Sequence, residues 1–260
     1  MILHSTVEGM RGDAAFILLH SLALDGRVWQ RVVPELAGQS QVVTVDLRGH
    51  GKSPKSTGYT VEQMADDVAD TARELDIRNA VVVGLSMGGC VAQAVAVRHR
   101  DLVSGLVLAD TTAWYGPDAP ETWAGRADKA RTDGLRSLAD FQLDRWFGQE
   151  FCTENADLCA DLLECFAAND IDSYASACDA LGAFDMREEI RSIGVPTEVI
   201  VGEHDPATSP THARDLAERI AGSALTIIPG AKHLTALERP DVVAAAAMRA
   251  RDNRPGDVVD

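Results

Sequence analysis

Short, continuous apolar runs alternate with helical patterns in both halves of this 260-residue chain. The predicted strands are Ala14 to Leu19, Val42 to Leu47, Ala80 to Val83, Gly105 to Ala109, Thr197 to Val201 and Leu225 to Ile228. Strands that are apolar at nearly every position are buried on both faces, as in a parallel sheet covered by helices. The predicted helices between them are Val28 to Leu36, Val61 to Leu75, Met87 to His99, Thr211 to Ile220 and Asp241 to Arg251. This alternation predicts an α/β fold with a mostly parallel sheet flanked by helices.

The alternation stops between residues 112 and 190, where no convincing strand run occurs. Helical patterns take its place at Ala124 to Ala130, Leu135 to Phe147 and Ala156 to Ala167. Turn-forming residues at 116–120 and 192–196 bound this segment. We therefore predict a core made of residues 1–111 and 191–260, with an inserted helical cap at 112–190.

The charge of the chain is strongly acidic and unevenly placed. The 24 basic and 40 acidic side chains give a formal net charge of −16, and residues 117–190 hold 6 basic and 17 acidic groups, which is −11. Such a surface repels nucleic-acid phosphates and anionic lipid, and no run of Lys and Arg offsets it. We therefore expect no nucleic-acid partner and no membrane-surface partner, and the acidic excess should lie on the cap.

The cysteines and the N-terminal sequence indicate a cytoplasmic location. The chain has five cysteines without a Cys-x-x-Cys spacing: Cys90, Cys152, Cys159, Cys165 and Cys178. Residues 1–6 lack the basic and apolar regions of a signal peptide, and no apolar stretch approaches the roughly 18 residues of a membrane span. We expect reduced cysteines that pack as small hydrophobic groups, and no metal site.

The sharpest local signal is Gly84-Leu85-Ser86-Met87-Gly88, which lies between a predicted strand and a predicted helix. A serine with glycine two positions away on both sides is typical of a nucleophile elbow in this context. The glycines let the strand and the helix pass closely beneath a strained serine. We therefore predict Ser86 as the nucleophile and the amide of Met87, at the helix N-terminus, as an oxyanion donor.

A serine nucleophile needs a base that is held by an acid, and both should follow later strands. The fifth predicted strand runs into Asp205, and the last runs into His233. We predict that Asp205 orients His233, which takes the proton of Ser86. Asp110 ends the fourth predicted strand and is the rival acid. We prefer Asp205 because the preceding Gly-x-x-Asp turn suits this role, whereas Asp110 can serve as a cap or hinge residue.

The second oxyanion donor should come from the loop after the first predicted strand. This loop reads His20-Ser21-Leu22-Ala23, and the amide of Leu22 is the candidate. A short polar turn after an apolar strand is also common in binding proteins, so the prediction depends on the elbow at Ser86.

These residues resemble the α/β-hydrolase superfamily over nearly the whole chain and, more narrowly, the 3-oxoadipate enol-lactonases. The runs that carry the resemblance are His20-Ser21-Leu22, Asp46 to Ser53, the elbow at Ser86, Leu143 to Phe147, Tyr174 to Cys178, Asp205 to Pro210, His233 to Thr235 and Glu238 to Pro240. His20 is a departure, because asparagine is the residue we expect there in the lactonases.

The resemblance implies a small-molecule substrate, a carboxylate-bearing enol-lactone, and no metal or organic cofactor. Ser86 would attack the ring carbonyl, the amides of Leu22 and Met87 would hold the oxyanion, and His233 would move the protons. Water activated by His233 would then release the acid, and the freed enol would become a ketone.

An anionic substrate requires a cation within the acidic cap. Five basic residues crowd one stretch of it: Arg126, Lys129, Arg131, Arg136 and Arg145. We expect Arg145 or Arg131 to bind the carboxylate, since a guanidinium can do so with two hydrogen bonds. Trp123 and Trp146 are candidate pocket walls, although cap packing explains them equally well.

Two other classes of function fit the same sequence. A carboxylesterase, a perhydrolase or a C–C bond hydrolase uses the same three catalytic residues. A non-catalytic ligand-binding protein of this fold is the remaining alternative, and the presence of Ser86, Asp205 and His233 argues against it.

Overall fold

The computed structural model describes residues 1–10 and 15–252. Seven strands form one sheet: β1 Ser5–Glu8, β2 Ala15–Leu19, β3 Gln41–Val45, β4 Ala80–Leu85, β5 Val103–Ala109, β6 Thr197–Gly202 and β7 Ala224–Ile228. Their order is β1-β3-β2-β4-β5-β6-β7, and every neighbouring pair is parallel except β1 with β3. The predicted mostly parallel sheet is confirmed, and Ala14 of the first predicted strand lies outside the described residues.

The helices cover this sheet and fill the segment between β5 and β6. They are α1 Val33–Ala37, α2 Val61–Glu74, α3 Met87–Arg98, α4 Ala119–Asp133, α5 Ala139–Trp146, α6 Gln149–Glu154, α7 Ala156–Ala167, α8 Ile171–Gly182, α9 Pro210–Arg219, α10 Thr235–Glu238 and α11 Pro240–Asp252. In the core, α2 packs on α3 and α1 packs on α11. Strands β2, β4 and β6 are buried at every residue, as expected for a sheet covered on both faces.

Two helices that the sequence predicts as continuous are each a 3₁₀ turn followed by a shorter α-helix. The first is a 3₁₀ turn at Gly26–Trp29 followed by the separate helix α1. Pro34 lies in the first turn of α1, where its missing N–H is tolerated, whereas a longer helix running through it would lose a hydrogen bond. The second begins as a 3₁₀ turn at Leu135–Leu138 and continues as α5.

The inserted segment contains the five helices α4 to α8, of which α6 and α8 were not predicted. Helix α4 packs along α8. An aromatic cluster joins the other helices, since the ring of Phe166 lies 5.9 Å from that of Trp146 and 6.0 Å from that of Tyr174. Phe147 stacks on Phe151 with 4.5 Å between the ring centroids. The division into a core and a cap at residues 112–190 stays a prediction.

All five cysteines are free thiols, and four of them are buried. No helix of the described ranges is both long enough and apolar enough to cross a membrane. Among residues 1–10 and 15–252, no three His, Cys, Asp or Glu side chains converge as metal ligands.

Candidate active site

The turn between β4 and α3 holds Ser86 in a strained conformation. Its φ is 56° and its ψ is −116°, a backbone conformation that residues other than glycine rarely adopt. A Cβ atom on Gly84 would lie 2.3 Å from the carbonyl oxygen of Gly88, and one on Gly88 would lie 2.1 Å from that of Leu19. Both glycines are therefore required by close backbone packing, and the packing fixes the position of Ser86.

Ser86, His233 and Asp205 form a continuous hydrogen-bonded chain. His233 Nε2 lies 2.9 Å from Ser86 Oγ, and His233 Nδ1 lies 2.8 Å from Asp205 Oδ2. Because a carboxylate only accepts, Nδ1 carries a proton toward Asp205, and Nε2 is left to accept the hydroxyl proton of Ser86. Asp205 follows β6 and His233 follows β7, so parallel strands deliver all three residues to one edge of the sheet. This geometry supports attack by Ser86 on a carbonyl.

Asp205 is held in place by its own loop. Oδ1 accepts hydrogen bonds from the amides of Ala207 (2.7 Å) and Thr208 (3.0 Å), and Oδ2 accepts one from the Thr208 hydroxyl (2.8 Å). Burial disfavours the charged form of Asp205, but the neighbouring His233 and these donors outweigh it and lower the pKa of the carboxyl group. Asp205 is therefore ionised and fixed against His233.

The rival acid, Asp110, lies deeper and has other partners. Its Oδ1 accepts from the amide of Gly202 (3.0 Å), and its Oδ2 accepts from the amide (3.0 Å) and hydroxyl (2.6 Å) of Thr235. Burial and the nearby charge of Asp205 raise its pKa well above the ordinary value. Asp110 thus ties the end of β6 to the segment just after His233, and the histidine itself hydrogen-bonds to Asp205.

The two predicted oxyanion donors have no acceptor among the described residues, so both amides are available to a ligand. The peptide that carries the Leu22 N–H is fixed by His20, whose Nδ1–H donates to the Ser21 carbonyl oxygen (2.8 Å) while its Nε2 accepts from the Leu47 amide (2.9 Å). Burial lowers the pKa of His20, which keeps the ring neutral. Because a peptide is planar, holding the Ser21 oxygen also sets the direction of the Leu22 N–H.

A cavity of about 800 Å³ opens above Ser86. Core residues Leu22 and His233 line its base, and helices α4 and α5 supply much of its wall. Of the predicted substrate-binding residues, Arg145, Trp123 and Trp146 line this cavity. Arg131 lies outside the lining, and its half-exposed guanidinium pairs with Asp128 at 3.0 Å, so the structure does not bring it to Ser86.

Two arginines in the cavity wall lack a carboxylate partner within the described ranges. Arg145 makes no hydrogen bond there, and its guanidinium lies 5.1 Å from the ring centroid of Phe141. Arg126 and Arg145 both line this cavity. Burial, and then the positive charge of Arg126, lower the pKa of Arg145. Arg126 Nε donates to the Tyr174 hydroxyl at 2.6 Å. The sequence places Arg126 in the basic stretch, but only packing shows that it faces this cavity.

Acidic groups are nearly absent from the cavity, despite the charge of the inserted segment. Three cations, Arg126, Lys129 and Arg145, line it, and Asp118 is the one acid among its described lining residues. Exposed carboxylates of the segment pair with basic side chains instead, as in Arg136 with Glu164 at 2.7 Å. Lys129 also pairs with Asp133 at 2.7 Å, which leaves Arg126 and Arg145 as the lining cations without a carboxylate partner among the described residues. The local charge of the cavity is therefore opposite to that of the surface around it.

Comparisons with known proteins agree with this architecture. The family described as Alpha/beta hydrolase family matches residues 16–246. The chain is 31% identical over 235 residues to 3-oxoadipate enol-lactonase 1 of Acinetobacter baylyi, which covers 90% of this chain and 87% of that protein. It is 26% identical over 237 residues to a pimeloyl-[acyl-carrier protein] methyl ester esterase of Yersinia enterocolitica, covering 88% and 90% respectively.

A solved structure gives a close match. The crystal structure of the enol-lactonase from Burkholderia xenovorans superposes with a TM-score of 0.91 and 38% sequence identity, covering 96% of both chains. The similarity therefore extends over the strands, the loops that carry Ser86, Asp205 and His233, and the inserted helices alike.

Proposed function

Because the chain belongs to the alpha/beta hydrolase family, we propose that it opens a small anionic enol-lactone, of the 3-oxoadipate enol-lactone type, through an acyl-enzyme on Ser86. The observation that carries the proposal is the pair Arg126 and Arg145, two cations without a carboxylate partner among the described residues, in the cavity above Ser86. The similarity to two enol-lactonases supports the same substrate class.

The first half of the reaction forms the acyl-enzyme. Ser86 Oγ attacks the lactone carbonyl carbon while His233 Nε2 takes its proton, and Asp205 stabilises the imidazolium that results. The amides of Leu22 and Met87 donate to the developing oxyanion. When the ring C–O bond breaks, His233 returns the proton to the departing enol oxygen.

The second half releases the acid. His233 takes a proton from water, the hydroxide attacks the ester carbonyl on Ser86, and the serine leaves with the proton from His233. The product carries a new carboxylate, and its enol becomes a ketone by moving one proton from oxygen to carbon. Because the ketone is more stable than the enol, this last step draws the opening forward.

The carboxylate of the substrate would bind at Arg145, with Arg126 adding to the positive potential. A guanidinium that is half-buried and unpaired is costly to keep in a cavity, and an anion between the two arginines offsets both their desolvation and their repulsion. Trp123 and Trp146 would form the apolar walls against the ring.

A carboxylesterase is the competing function, since an esterase is among the relatives and the cavity of about 800 Å³ is generous for a small lactone. A substrate panel separates the two. We expect kcat/KM for the carboxylate-bearing enol-lactone to exceed that for neutral p-nitrophenyl esters by about 100-fold or more. A preference for the neutral esters would overturn the lactonase proposal and leave the esterase.

A further inference from the structure

We propose that Gln142 is a specificity-determining residue, whose side-chain amide hydrogen-bonds the polar end of the substrate beside Arg145. This inference deepens the proposed function and rests on it. The sequence pattern gives no signal for Gln142, whose side chain carries an unsatisfied polar group.

The side-chain amide of Gln142 is buried without a partner. The residue is 3% exposed, its Nε2 is closed off from solvent, and its amide makes no hydrogen bond within the part of the chain that the structure describes. Folded proteins rarely leave such a group unsatisfied, because its hydration is lost and nothing replaces it. Gln142 also lines the cavity above Ser86, and its Oε1 is not among the closed-off atoms, so a half-turn of the amide about its terminal bond would bring the NH₂ group to a ligand in that cavity.

A second buried glutamine shows what a structural role looks like in this protein. Gln93 Nε2 donates to the carbonyl oxygens of Gly89 (3.1 Å) and Thr112 (3.0 Å), which joins α3 to the segment after β5, although the Oε1 of Gln93 has no partner among the described residues. Gln142 joins nothing. Its amide therefore contributes no hydrogen bond to the fold, and an apolar side chain of the same length would serve packing equally well.

Helical geometry places Gln142 and Arg145 on one wall. Gln142 lies four positions after Leu138, and Arg145 lies three positions after Gln142, which are the spacings of one helix face. Trp146 follows directly, and all four residues line the cavity. The end of α5 is fixed to the catalytic loop, because the Trp146 carbonyl accepts hydrogen bonds from the amides of His233 (3.2 Å) and Leu234 (3.3 Å). The fold therefore holds the amide at a set position relative to His233.

The chemistry of an amide suits a site that already has two cations. A carboxylate offers about four lone-pair positions, and one guanidinium fills two of them. The Gln142 NH₂ group can donate to a remaining one without adding charge to Arg126 and Arg145, so it strengthens anion binding without further repulsion. A substrate with an apolar acyl group would leave the amide buried and unpaired, and binding of that substrate would be weakened.

The test is Gln142→Met, which keeps the length of the side chain and removes its polarity. Gln149→Met is the matched control, because this glutamine is exposed at the start of α6 and does not line the cavity. The probes are the carboxylate-bearing enol-lactone and p-nitrophenyl butyrate. We expect Gln142→Met to lower kcat/KM for the lactone by about 10- to 100-fold, mainly through KM, and to leave the neutral ester unchanged or improved. The control should change both substrates by less than about threefold.

A second variant keeps the test decisive if Gln142→Met folds poorly. Gln142→Glu places a carboxylate beside Arg145, which should cost the anionic lactone more than Gln142→Met does while sparing the neutral ester. Equal losses on both substrates would show a structural role, and no loss on the lactone would show no role, so either result overturns the proposal. If the wild-type enzyme does not hydrolyse the lactone, the proposed function has failed independently of Gln142.

Discussion

The two walls of the cavity differ in how their polar groups are satisfied. On the core side, His233 and Asp205 are hydrogen-bonded to each other and to other groups of the protein, so each has a fixed partner. On the side of the inserted helices, Arg145 and Gln142 have no hydrogen-bond partner within the described ranges. Under the proposed function the difference separates two tasks, because the protein itself aligns the reacting groups, whereas the binding groups would acquire their partners from the substrate. Variants on the two walls should therefore fail in different ways.

The largest effect should come from Ser86→Ala on the core wall. Removing the hydroxyl removes the nucleophile while the cavity and its cations remain, so kcat should fall by about 10⁴- to 10⁶-fold and KM should change little. Steady-state hydrolysis of the enol-lactone measures the loss, and circular dichroism checks the fold. Activity within tenfold of wild type would show that Ser86 is not the nucleophile.

Replacing each of the two buried acids by asparagine should show which one orients His233. Asp205→Asn cannot stabilise the imidazolium and favours the wrong tautomer, so we expect kcat to fall by about 10⁴-fold. Asp110→Asn should cost mainly stability, about 1–3 kcal/mol, because an amide nitrogen would face the donors from Gly202 and Thr235. Unfolding in urea and kcat measured on both variants test this. A larger loss of kcat in Asp110→Asn would reverse the assignment.

The same acids should shape the pH dependence of stability in opposite directions. The pKa of Asp110 is raised in the folded state, so its contribution favours folding at low pH and declines as pH rises above the unfolded value of 3.8. The pKa of Asp205 is lowered, so its contribution is complete above 3.8 and is lost as pH falls through the folded value. Relative to wild type, Asp110→Asn should therefore gain stability between pH 4 and pH 7. Urea midpoints of both proteins across that range measure the effect. A stability difference between Asp110→Asn and wild type that stayed constant or widened as the pH rises from 4 to 7 would contradict it.

On the side of the inserted helices, Arg145→Gln should impair substrate binding more than the rate of the chemical step. Loss of the carboxylate contact should raise KM for the enol-lactone by about 10- to 100-fold with kcat within a fewfold of wild type. Arg131→Gln is the matched control, because this arginine belongs to the same basic stretch but pairs with Asp128 outside the cavity. Equal KM values in the two variants would remove Arg145 from the binding site.

The smallest effect should come from His20→Ala, which replaces a buried residue on the core side that contacts the loop carrying the Leu22 amide. The variant frees the Ser21 carbonyl and loosens the peptide that carries the Leu22 amide, so we expect kcat to fall by about tenfold with little change in KM. Single-turnover kinetics would locate the loss in acylation. An unchanged kcat would show that the Leu24 amide, which also donates to the Ser21 oxygen at 3.2 Å, holds this peptide alone.

The core could be predicted from sequence because its signals are local. A buried parallel strand is a continuous apolar run, and Ser86 and Asp205 follow the buried strands β4 and β6 within a few residues. His233 follows β7, which is only partly buried but is still mostly apolar. Strand β1 was missed because it is a mostly exposed edge strand of four residues, with no apolar run to indicate it.

The inserted helices could be predicted only in outline. Helix α8 was missed although Asp170, whose side chain accepts from the amide of Ser173, is an N-cap signal that the sequence contains. The choice between Arg145 and Arg131 could not be made from the sequence, for a different reason. Arg126, Arg131 and Arg145 have the same chemistry, and the face that each presents depends on how α4 and α5 pack, which periodicity in a charged segment does not reveal.

The most direct test of the lactonase account compares two substrates in one enzyme: the carboxylate-bearing enol-lactone and the same lactone with its carboxylate converted to a carboxamide. The account predicts that wild type prefers the anion by about 100-fold in kcat/KM, and that Arg145→Gln reduces this ratio to near one. Equal turnover of the two lactones by wild type, or a ratio that Arg145→Gln leaves unchanged, would contradict it.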